Sequence, residues 1–417
     1  MNILIPTFLT GTSPSGVVTY YQTLARDLRS RGTSVQVVET TDTPFLWNKT
    51  LNIMGHFFRR MGQTSRILWD ESSYFVRLYL GVRQHRHQTF DIIHAQDVRS
   101  GVAAYFALGK RVPVVLTAHF NDDPVTELVI AAAIIDQPLP VWLKRALTRW
   151  YRWLFSHVDN YIFVSNYAYT QSKHLLRHTV RRAILPNTVT IDPAEKQTTR
   201  TIDDTGKFII SNVGYVDERK NQELLIHIGA EIIKQGVTNF RIWLIGDGPK
   251  RAEYEQLVAD LNLAEYVRFH GRQAAPWRLV AQSDLYVHTA LNDNCPYALL
   301  EAFAVNVPVL ALPVGGIPEL MPHGAGLLND RDSVTLAKLI LTYRDTGKRQ
   351  ELTDIQTRHA STYLSHEAGL RNLFAFYQQV TGTNEQQIIH EIADGVDGKT
   401  SSSPSLSTMQ SQVTTQH

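Results

Sequence analysis

The run Asp293-Asn294-Cys295-Pro296-Tyr297-Ala298-Leu299-Leu300-Glu301-Ala302-Phe303-Ala304, followed by Pro308-Val309-Leu310-Ala311 and by Gly315-Gly316-Ile317-Pro318-Glu319, decides how this chain is read. Pro296 suits the first position of a helix, where its missing N–H would be unpaired anyway. The cap then falls at Asn294 or Cys295, and asparagine is a favoured cap. Tyr297 to Ala304 reads as helix, with Leu300, Phe303 and Ala304 facing a core. Asp293 stands just before this helix and Glu301 on its second turn, so two carboxylates border one helix end. Val307 to Leu312 reads as a short buried strand. The Gly315-Gly316 turn lets backbone approach a ligand before another helix starts at Pro318. A helix N-terminus carries about half a positive charge and free N–H groups, which attract phosphate. Carboxylates can grip sugar hydroxyls. The combination points to a nucleotide-sugar site, against a plainer reading of an acidic cap and a solvated glutamate on an ordinary helix.

On both sides of this run, strands and helices alternate in two series, which argues for two doubly wound α/β domains. The first series has strands at Asn2–Pro6, Ser34–Glu39, Asp91–His94, Pro113–Ala118, Asn160–Val164 and Arg182–Leu185. A turn at Thr10–Gly16 precedes a helix through Tyr20, Leu24 and Leu28. The second series has strands at Phe208–Val213, Phe240–Ile245, Val267–His270 and Leu285–His288, with helices at Glu223–Lys234 and Arg251–Leu261. The expected division is 1–190 for an N-terminal acceptor-binding domain, 191–206 for a polar linker and 207–365 for a C-terminal nucleotide-sugar domain. A crossover helix is expected at 366–381, and a disordered Ser/Thr/Gln-rich tail at 382–417. Open parallel sheets bind ligands beyond the C-terminal ends of their strands. Gly16, His94, His119, Ser165, Asn187, Gly214, Gly246 and Gly271 all fall at such ends.

Composition narrows the class further. A chain of 417 residues has room for two cores. Cys295 is the single cysteine, so no intrachain disulfide exists and a reducing compartment fits best. The start Met1-Asn2-Ile3-Leu4-Ile5-Pro6 reads as a strand and not as a signal peptide. No apolar run reaches the roughly 20 residues that span a bilayer. Charge is uneven: residues 1–190 hold 21 Lys+Arg against 12 Asp+Glu, and residues 191–417 hold 20 against 27. The basic half suggests an anionic partner, such as a membrane surface or an acidic acceptor, with a solvated basic face as the plain alternative. Val141–His157 carries Trp142, Trp150 and Trp153 among Lys144, Arg145, Arg149 and Arg152, with no acid. Residues 56–87 add Phe57, Phe58, Arg59 and Arg60. An interfacial helix and an ordinary domain helix both fit this pattern. No metal-binding spacing is present, Gly246-Asp247-Gly248-Pro249 lacks a full dinucleotide fingerprint, and no nucleic-acid module is recognised.

The ordered set of these motifs resembles the retaining glycosyltransferases of family four, over roughly residues 2–380. It includes Ser15-Gly16-Val17, Asp91-Ile92-Ile93-His94-Ala95, Thr117-Ala118-His119, Val164-Ser165, Leu185-Pro186-Asn187, Asn212-Val213-Gly214, Arg219-Lys220-Asn221, Leu244–Pro249, Phe269-His270-Gly271 and the carboxylate segment. The resemblance implies the GT-B architecture of two facing Rossmann-like domains with a C-terminal helix that crosses back. It implies transfer of a sugar from a nucleotide-diphosphate sugar to a glycan or lipid-linked acceptor, with no cofactor and no metal. By the same resemblance Glu301 holds the donor ribose, Asp293 contacts the sugar, Lys220 neutralises the diphosphate and His119 lies near the reacting sugar. Gly16 admits donor phosphate and acceptor, and Gly214, Arg219, Asn294, Cys295, Gly315 and Gly316 line the donor cleft.

Some positions depart from the family pattern. Tyr215 stands where the family often has arginine, Asp293 is one methylene shorter than the usual glutamate, and Cys295-Pro296 replaces a common Phe-Gly. Pro296 also removes a backbone N–H. These departures leave room for a catalytically silent binding subunit. A nucleotide-sugar epimerase or a phosphorylase of the same architecture is a further alternative. The expected location is cytoplasmic, with peripheral attachment to the inner face of the membrane as an extension. Specificity is expected in loops such as Asn121–Pro140.

Overall fold

The computed structural model describes residues 1–13, 15–135, 138–191 and 204–382, the side chains of 131–135 excepted. Most of the 191–206 linker and all but the first residue of the polar tail lie outside the described residues.

The first domain is a six-stranded parallel sheet. In chain order its elements are β1 (Asn2–Pro6), α1 (Gly16–Ser30), β2 (Ser34–Val38), α2 (Phe45–Arg60), α3 (Gln63–Arg83), β3 (Ile92–Ala95) and α4 (Val98–Ala107). They continue with β4 (Val114–Ala118), α5 (Pro124–Ile135), α6 (Val141–Phe155), β5 (Asn160–Phe163), α7 (Asn166–Ser172) and β6 (Arg181–Ile184). The sheet order is β2-β1-β3-β4-β5-β6, and every pairing is parallel. Ile92, Ile93, Val114, Val115 and Leu116 are fully or nearly fully buried, as expected of strands covered on both faces.

The second domain runs β7 (Phe208–Val213), α8 (Gln222–Lys234), β8 (Phe240–Ile245), α9 (Arg251–Asp260), β9 (Val267–Gly271), α10 (Trp277–Val280), β10 (Leu285–His288), α11 (Tyr297–Ala304), β11 (Val309–Ala311) and α12 (Ile317–Leu320). Helices α13 (Ser333–Thr342) and α14 (Thr346–Tyr363) follow. The sheet order is β11-β10-β7-β8-β9, again parallel throughout. The last helix, α15 (His366–Thr381), leaves this domain. Its Leu370, Leu373, Phe374, Phe376 and Tyr377 bury among Ile3, Ile5, Val18, Leu24, Val115 and Ile162 of the first domain. The crossover helix is therefore an integral part of the N-terminal core. The architecture is GT-B.

In such sheets the ligand crevice opens where strand order reverses. Here the reversals lie between β1 and β3 and between β7 and β10. They bring the ends Gln96-Asp97 and Gly214, together with His288-Thr289, to the two sides of one cleft.

Several local expectations change. Pro296 is the cap of α11 and not its first residue, with an extended backbone (φ −69°, ψ 127°) and no side-chain cap bond. The reason is that Asn294, the expected cap, spends its side chain across the cleft. The helix expected from Pro318 starts at Ile317 and lasts a single turn. The expected loop at Asn121–Pro140 contains α5. Asp123 nucleates it, its Oδ1 accepting from Val125 N at 3.0 Å and Thr126 N at 3.1 Å.

Candidate functional site

The C-terminal side of the cleft is built on charge. The loop after β7 approaches the loop after β8 so closely that a Cβ on Gly246 would sit 1.9 Å from Gly214 O, and one on Gly248 2.3 Å from Val216 O. Gly246 has φ +146°, which side chains rarely adopt. This packing fixes the turn that carries Lys220. Asp217 Oδ1 accepts from Lys220 N at 2.8 Å, and Thr289 Oγ1 donates to Lys220 O at 3.0 Å. Lys220 Nζ donates to Asp293 Oδ2.

Asp293 also accepts from His288 Nε2 at 3.2 Å, and His288 Nδ1 faces Tyr286 OH at 3.1 Å. Burial lowers the His288 pKa, so the ring is neutral and donates through Nε2. Burial alone would raise Asp293, but the Lys220 ammonium and the His288 N–H outweigh it and hold the carboxyl well below the usual carboxylate range. Asp293 is thus an ionised group whose two partners, Lys220 and His288, both meet Oδ2. Glu301 is the opposite. No hydrogen bond or ion pair reaches its carboxylate among the described residues, and burial alone pushes it up to about 7.

The glycine turn closes this side. Gly315 has φ +56°, and a Cβ there would lie 2.0 Å from Asp293 O. A Cβ on Gly316 would lie 2.4 Å from Asn294 O and 2.7 Å from Ser165 Cβ of the facing domain. Both glycines are demanded by close backbone approach. Arg219 Nη1 donates to Asn292 O at 3.3 Å, and Arg219 O accepts from Leu291 N at 2.8 Å, so this arginine braces the 291–292 loop.

On the N-terminal side, the groups around His119 are neutral. His119 Nε2 meets Gln96 Oε1 at 3.0 Å, while Gln96 Nε2 donates to His94 O at 3.2 Å. That second bond fixes the amide, so His119 donates through Nε2 and keeps Nδ1 as an acceptor. Removal from water lowers His119 to about 3. Its ring stands edge-on to Tyr20 at 4.7 Å. Beneath it, His94 joins Tyr377 OH of α15 through Nδ1 and Thr117 Oγ1 through Nε2 at 2.6 Å, and Thr117 reaches Tyr20 OH at 3.3 Å. Gly16 opens α1 opposite Tyr297, whose Cδ2 would lie 3.3 Å from a Cβ there.

A polar seam joins the two sides. Asn294 Nδ2 donates to Phe120 O at 2.6 Å, and Asn292 Nδ2 to Asp122 Oδ2 at 3.2 Å. Asn187 Nδ2 donates to Cys295 O at 2.8 Å. Glu319 accepts from Asn166 N at 2.7 Å and Tyr167 N at 2.8 Å.

The expected site residues therefore split. Lys220, Asp293, Glu301, Gly214, Gly315 and Gly316 gather on one side, with Gly16 and His119 facing them. Arg219, Asn294 and Cys295, expected to line the donor cleft, spend their side chains on structure. The Cys295 thiol is buried, pushed up to about 12, and accepts from Asn187 N at 3.3 Å. Sequence reasoning assigned no site role to His288, Gln96, Tyr20 or Glu319. Of these only His288 carried a signal, as a histidine ending a strand five residues before Asp293. Among the described residues, no group of three or more His, Cys, Asp and Glu is placed to hold a metal ion.

Known proteins share this fold. Residues 14–192 match the family described as Glycosyltransferase Family 4, and residues 207–345 match Glycosyl transferases group 1. The chain is 24% identical over 313 residues to the N-acetyl-alpha-D-glucosaminyl L-malate synthase of Bacillus anthracis, covering 72% of this chain and 76% of that one. It is 25% identical over 209 residues to the GPI3 subunit of the Saccharomyces cerevisiae phosphatidylinositol N-acetylglucosaminyltransferase, covering 47% of this chain and 44% of that subunit. Anabaena HepE, solved in complex with UDP and glucose, superposes with a TM-score of 0.64 at 18% identity, over 90% of this chain and 98% of that one. Sucrose-phosphate synthase from Thermosynechococcus elongatus gives 0.70 at 16% identity, over 92% and 99%. With both halves matched in order and the two-sheet fold shared, the chain belongs to the glycosyltransferases of family four, on the GT-B fold.

Proposed function

We propose that this glycosyltransferase is a retaining, metal-independent enzyme. It would move a sugar from a nucleotide-diphosphate sugar to a glycan or lipid-linked acceptor, in polysaccharide or glycolipid synthesis. The observation that carries the reading is Glu301, a half-buried carboxylate with no partner of its own, on the same side of the cleft as the Lys220–Asp293 pair. An unsatisfied buried acid costs free energy that a ligand's hydroxyls can recover.

In this reading Glu301 accepts from the donor ribose, Asp293 from the sugar, and Lys220 meets the diphosphate. The backbone at Gly214, Gly315 and Gly316 and the open start of α11 line the same volume. The bond from the anomeric carbon to the diphosphate oxygen breaks, and the acceptor oxygen bonds to that carbon from the same face. The leaving phosphate oxygen takes the acceptor proton. Charge grows on the leaving group, and Lys220 and the α11 N-terminus stabilise it, which is what supports a metal-free step. His119, neutral with Nδ1 as acceptor, orients a sugar hydroxyl. A cytoplasmic location with attachment to the membrane surface belongs to the same proposal, supported by the basic N-terminal half.

The test is a thermal-shift panel of UDP-, GDP-, ADP- and dTDP-sugars with and without EDTA. The HepE complex makes UDP-sugars the first to try. One donor class is expected to stabilise the protein equally in EDTA and to lose its effect in Glu301→Ala. A Glu301→Ala protein with full donor affinity and activity would overturn the assignment.

A further inference from the structure

We propose that α2 seats the enzyme on an anionic bilayer. The helix has one anchored face. Asn48 and Asn52 both accept from Arg77 of α3, Leu51 is buried, Gly55 lies against Trp69, and Phe58 stacks on Trp69 at 4.8 Å. This fixes the rotation of α2 and turns the opposite face outward. There Leu46, Ile53 and Phe57 stand in one line at i, i+7 and i+11, and they are 76%, 64% and 62% exposed. Met54 and Met61 widen the line. No other element among the described residues exposes so many large apolar side chains together.

Charge complementarity identifies the occupant. The sequence of α2 contains no Asp or Glu. Lys49, His56 and Arg60 run along one border of the apolar line. Lys49 and Arg60 make no ion pair among the described residues, while Arg59, on the anchored side, is within 3.7 Å of Asp70. An apolar stripe edged by cations matches the boundary between acyl chains and acidic headgroups. No helix among the described residues is long and apolar enough to cross a membrane, so the contact is one of lying on the surface.

The position suits a lipid-linked substrate. α2 leaves the C-terminal end of β2, the sheet edge that also carries the Gly11–Gly16 turn. Thr40 Oγ1 donates to Phe8 O at 3.1 Å, and Glu39 accepts from Tyr21 OH at 2.8 Å. α6 is a weaker candidate, because Leu143, Leu147, Tyr151, Leu154 and Phe155 are buried and Trp150 stacks on Trp153 at 5.1 Å. The proposal rests on the lipid-linked form of the acceptor and is independent of the donor assignment.

The test is co-sedimentation of the full chain with vesicles of phosphatidylcholine, alone or mixed with phosphatidylglycerol. Binding to the mixed vesicles is expected, at least tenfold weaker in the double variant Ile53→Asp, Phe57→Asp. Lys49→Gln with Arg60→Gln should weaken it by about fivefold per cation and flatten its salt dependence. Trp142→Asp on α6 should bind as the unchanged protein does. Circular dichroism and the donor-induced thermal shift should match in all variants, which separates loss of the seat from loss of the fold or of the donor site. Failure of the full chain to bind mixed vesicles overturns the proposal. So does undiminished binding by the Ile53, Phe57 variant, or loss with Trp142→Asp alone. A dimer in solution that the Ile53, Phe57 variant splits would assign the stripe to a second copy of the chain and overturn it equally.

Discussion

On the C-terminal side of the cleft, Lys220 and Asp293 are paired charges and Glu301 is an ionisable group left without a partner among the described residues. On the N-terminal side, Tyr377, His94, Thr117, Tyr20, Gln96 and His119 form a chain of neutral hydrogen bonds. The neutral set comes from α1, α15 and the ends of β3 and β4, and the charged set from α11 and the loops that follow β7 and β10; the groups of both are buried or half-buried. Inside a protein a charge persists only beside compensation, while a neutral dipole needs no more than a partner. In the proposed reading the charged side holds a cation for a diphosphate and one carboxylate left unpaired for hydroxyls, and the neutral set offers directional contacts to an uncharged alcohol.

The comparison is most exposed at Lys220. Lys220→Ala should lower turnover by ~10²–10³-fold, as losses of transition-state charge stabilisers do. It should also cost about 3 kcal/mol of stability, because Asp293 stays buried and ionised with only His288 to hold it. Steady-state kinetics and denaturant unfolding read the two effects. Turnover within tenfold of the unchanged enzyme would mean that the donor side does not work by charge.

His119→Ala probes the neutral side. Turnover should fall by roughly 10²-fold with donor affinity unchanged by calorimetry. Because removal from water lowers His119 to about 3, the unchanged enzyme should show no rate limb from this residue between about pH 5 and 8. A limb near pH 6 that vanishes in His119→Gln would show that the imidazole does titrate, and the contrast between the sides would fail.

Glu301→Gln separates function from stability. A lost charged hydrogen bond should weaken donor binding by about tenfold to a hundredfold. The folded pKa of about 7 lies above the ordinary 4.5, so the folded chain keeps the proton longer than the unfolded one. Stability therefore declines as pH rises from 4.5 through about 7. Glutamine escapes that decline. The variant should be more stable by ~2 kcal/mol at pH 8, with the gain fading toward pH 4. The unchanged enzyme should bind donor more tightly as pH rises from about 6 to 8. Equal melting temperatures at pH 8 would show that Glu301 is already compensated in the empty site.

The two sides also differed in how far the sequence disclosed them. Gly315, Gly316, Asp293 and Glu301 lie in one short run whose spacing reflects one turn and one helix start, so their grouping was readable from local chemistry, while Lys220 was singled out only by the family resemblance. The Tyr377–His94–Thr117–Tyr20 chain joins four elements whose meeting depends on the crossover of α15, and no spacing encodes it. The side-chain partners of Asn294 and Cys295 were hidden for the same reason, since Phe120 and Asn187 belong to the other domain. The strands were legible because fully buried parallel strands are continuous apolar runs. Residues 56–87 were read only as a basic aromatic stretch that fits an interfacial or a domain helix, and their division into α2 and α3 was not seen, since α2 puts much of its apolar surface outward and does not show an ordinary core-facing pattern. α2 and α6 are both acid-free and aromatic, and only packing tells which one keeps its apolar face bare.

Tyr377→Phe should have the smallest effect. The hydroxyl bonds His94 Nδ1 in the buried interior, and Phe keeps the ring and its contacts with Phe374. The loss is one hydrogen bond, and His94 Nδ1 is left without a partner, which costs about 1–2 kcal/mol. Helix α15 should stay docked, because Leu370, Leu373, Phe374 and Phe376 remain buried against the first sheet. If Tyr377, His94, Thr117 and Tyr20 donate in one direction toward the cleft, removing the first donor relaxes Tyr20 and lowers turnover by about threefold or less. Donor affinity should not change, since nothing in this chain touches Lys220, Asp293 or Glu301. A tenfold change in donor affinity would show that the crossover helix couples the neutral side to the charged one. The two sides would then have to be treated as one bistable unit and not as two independently built halves.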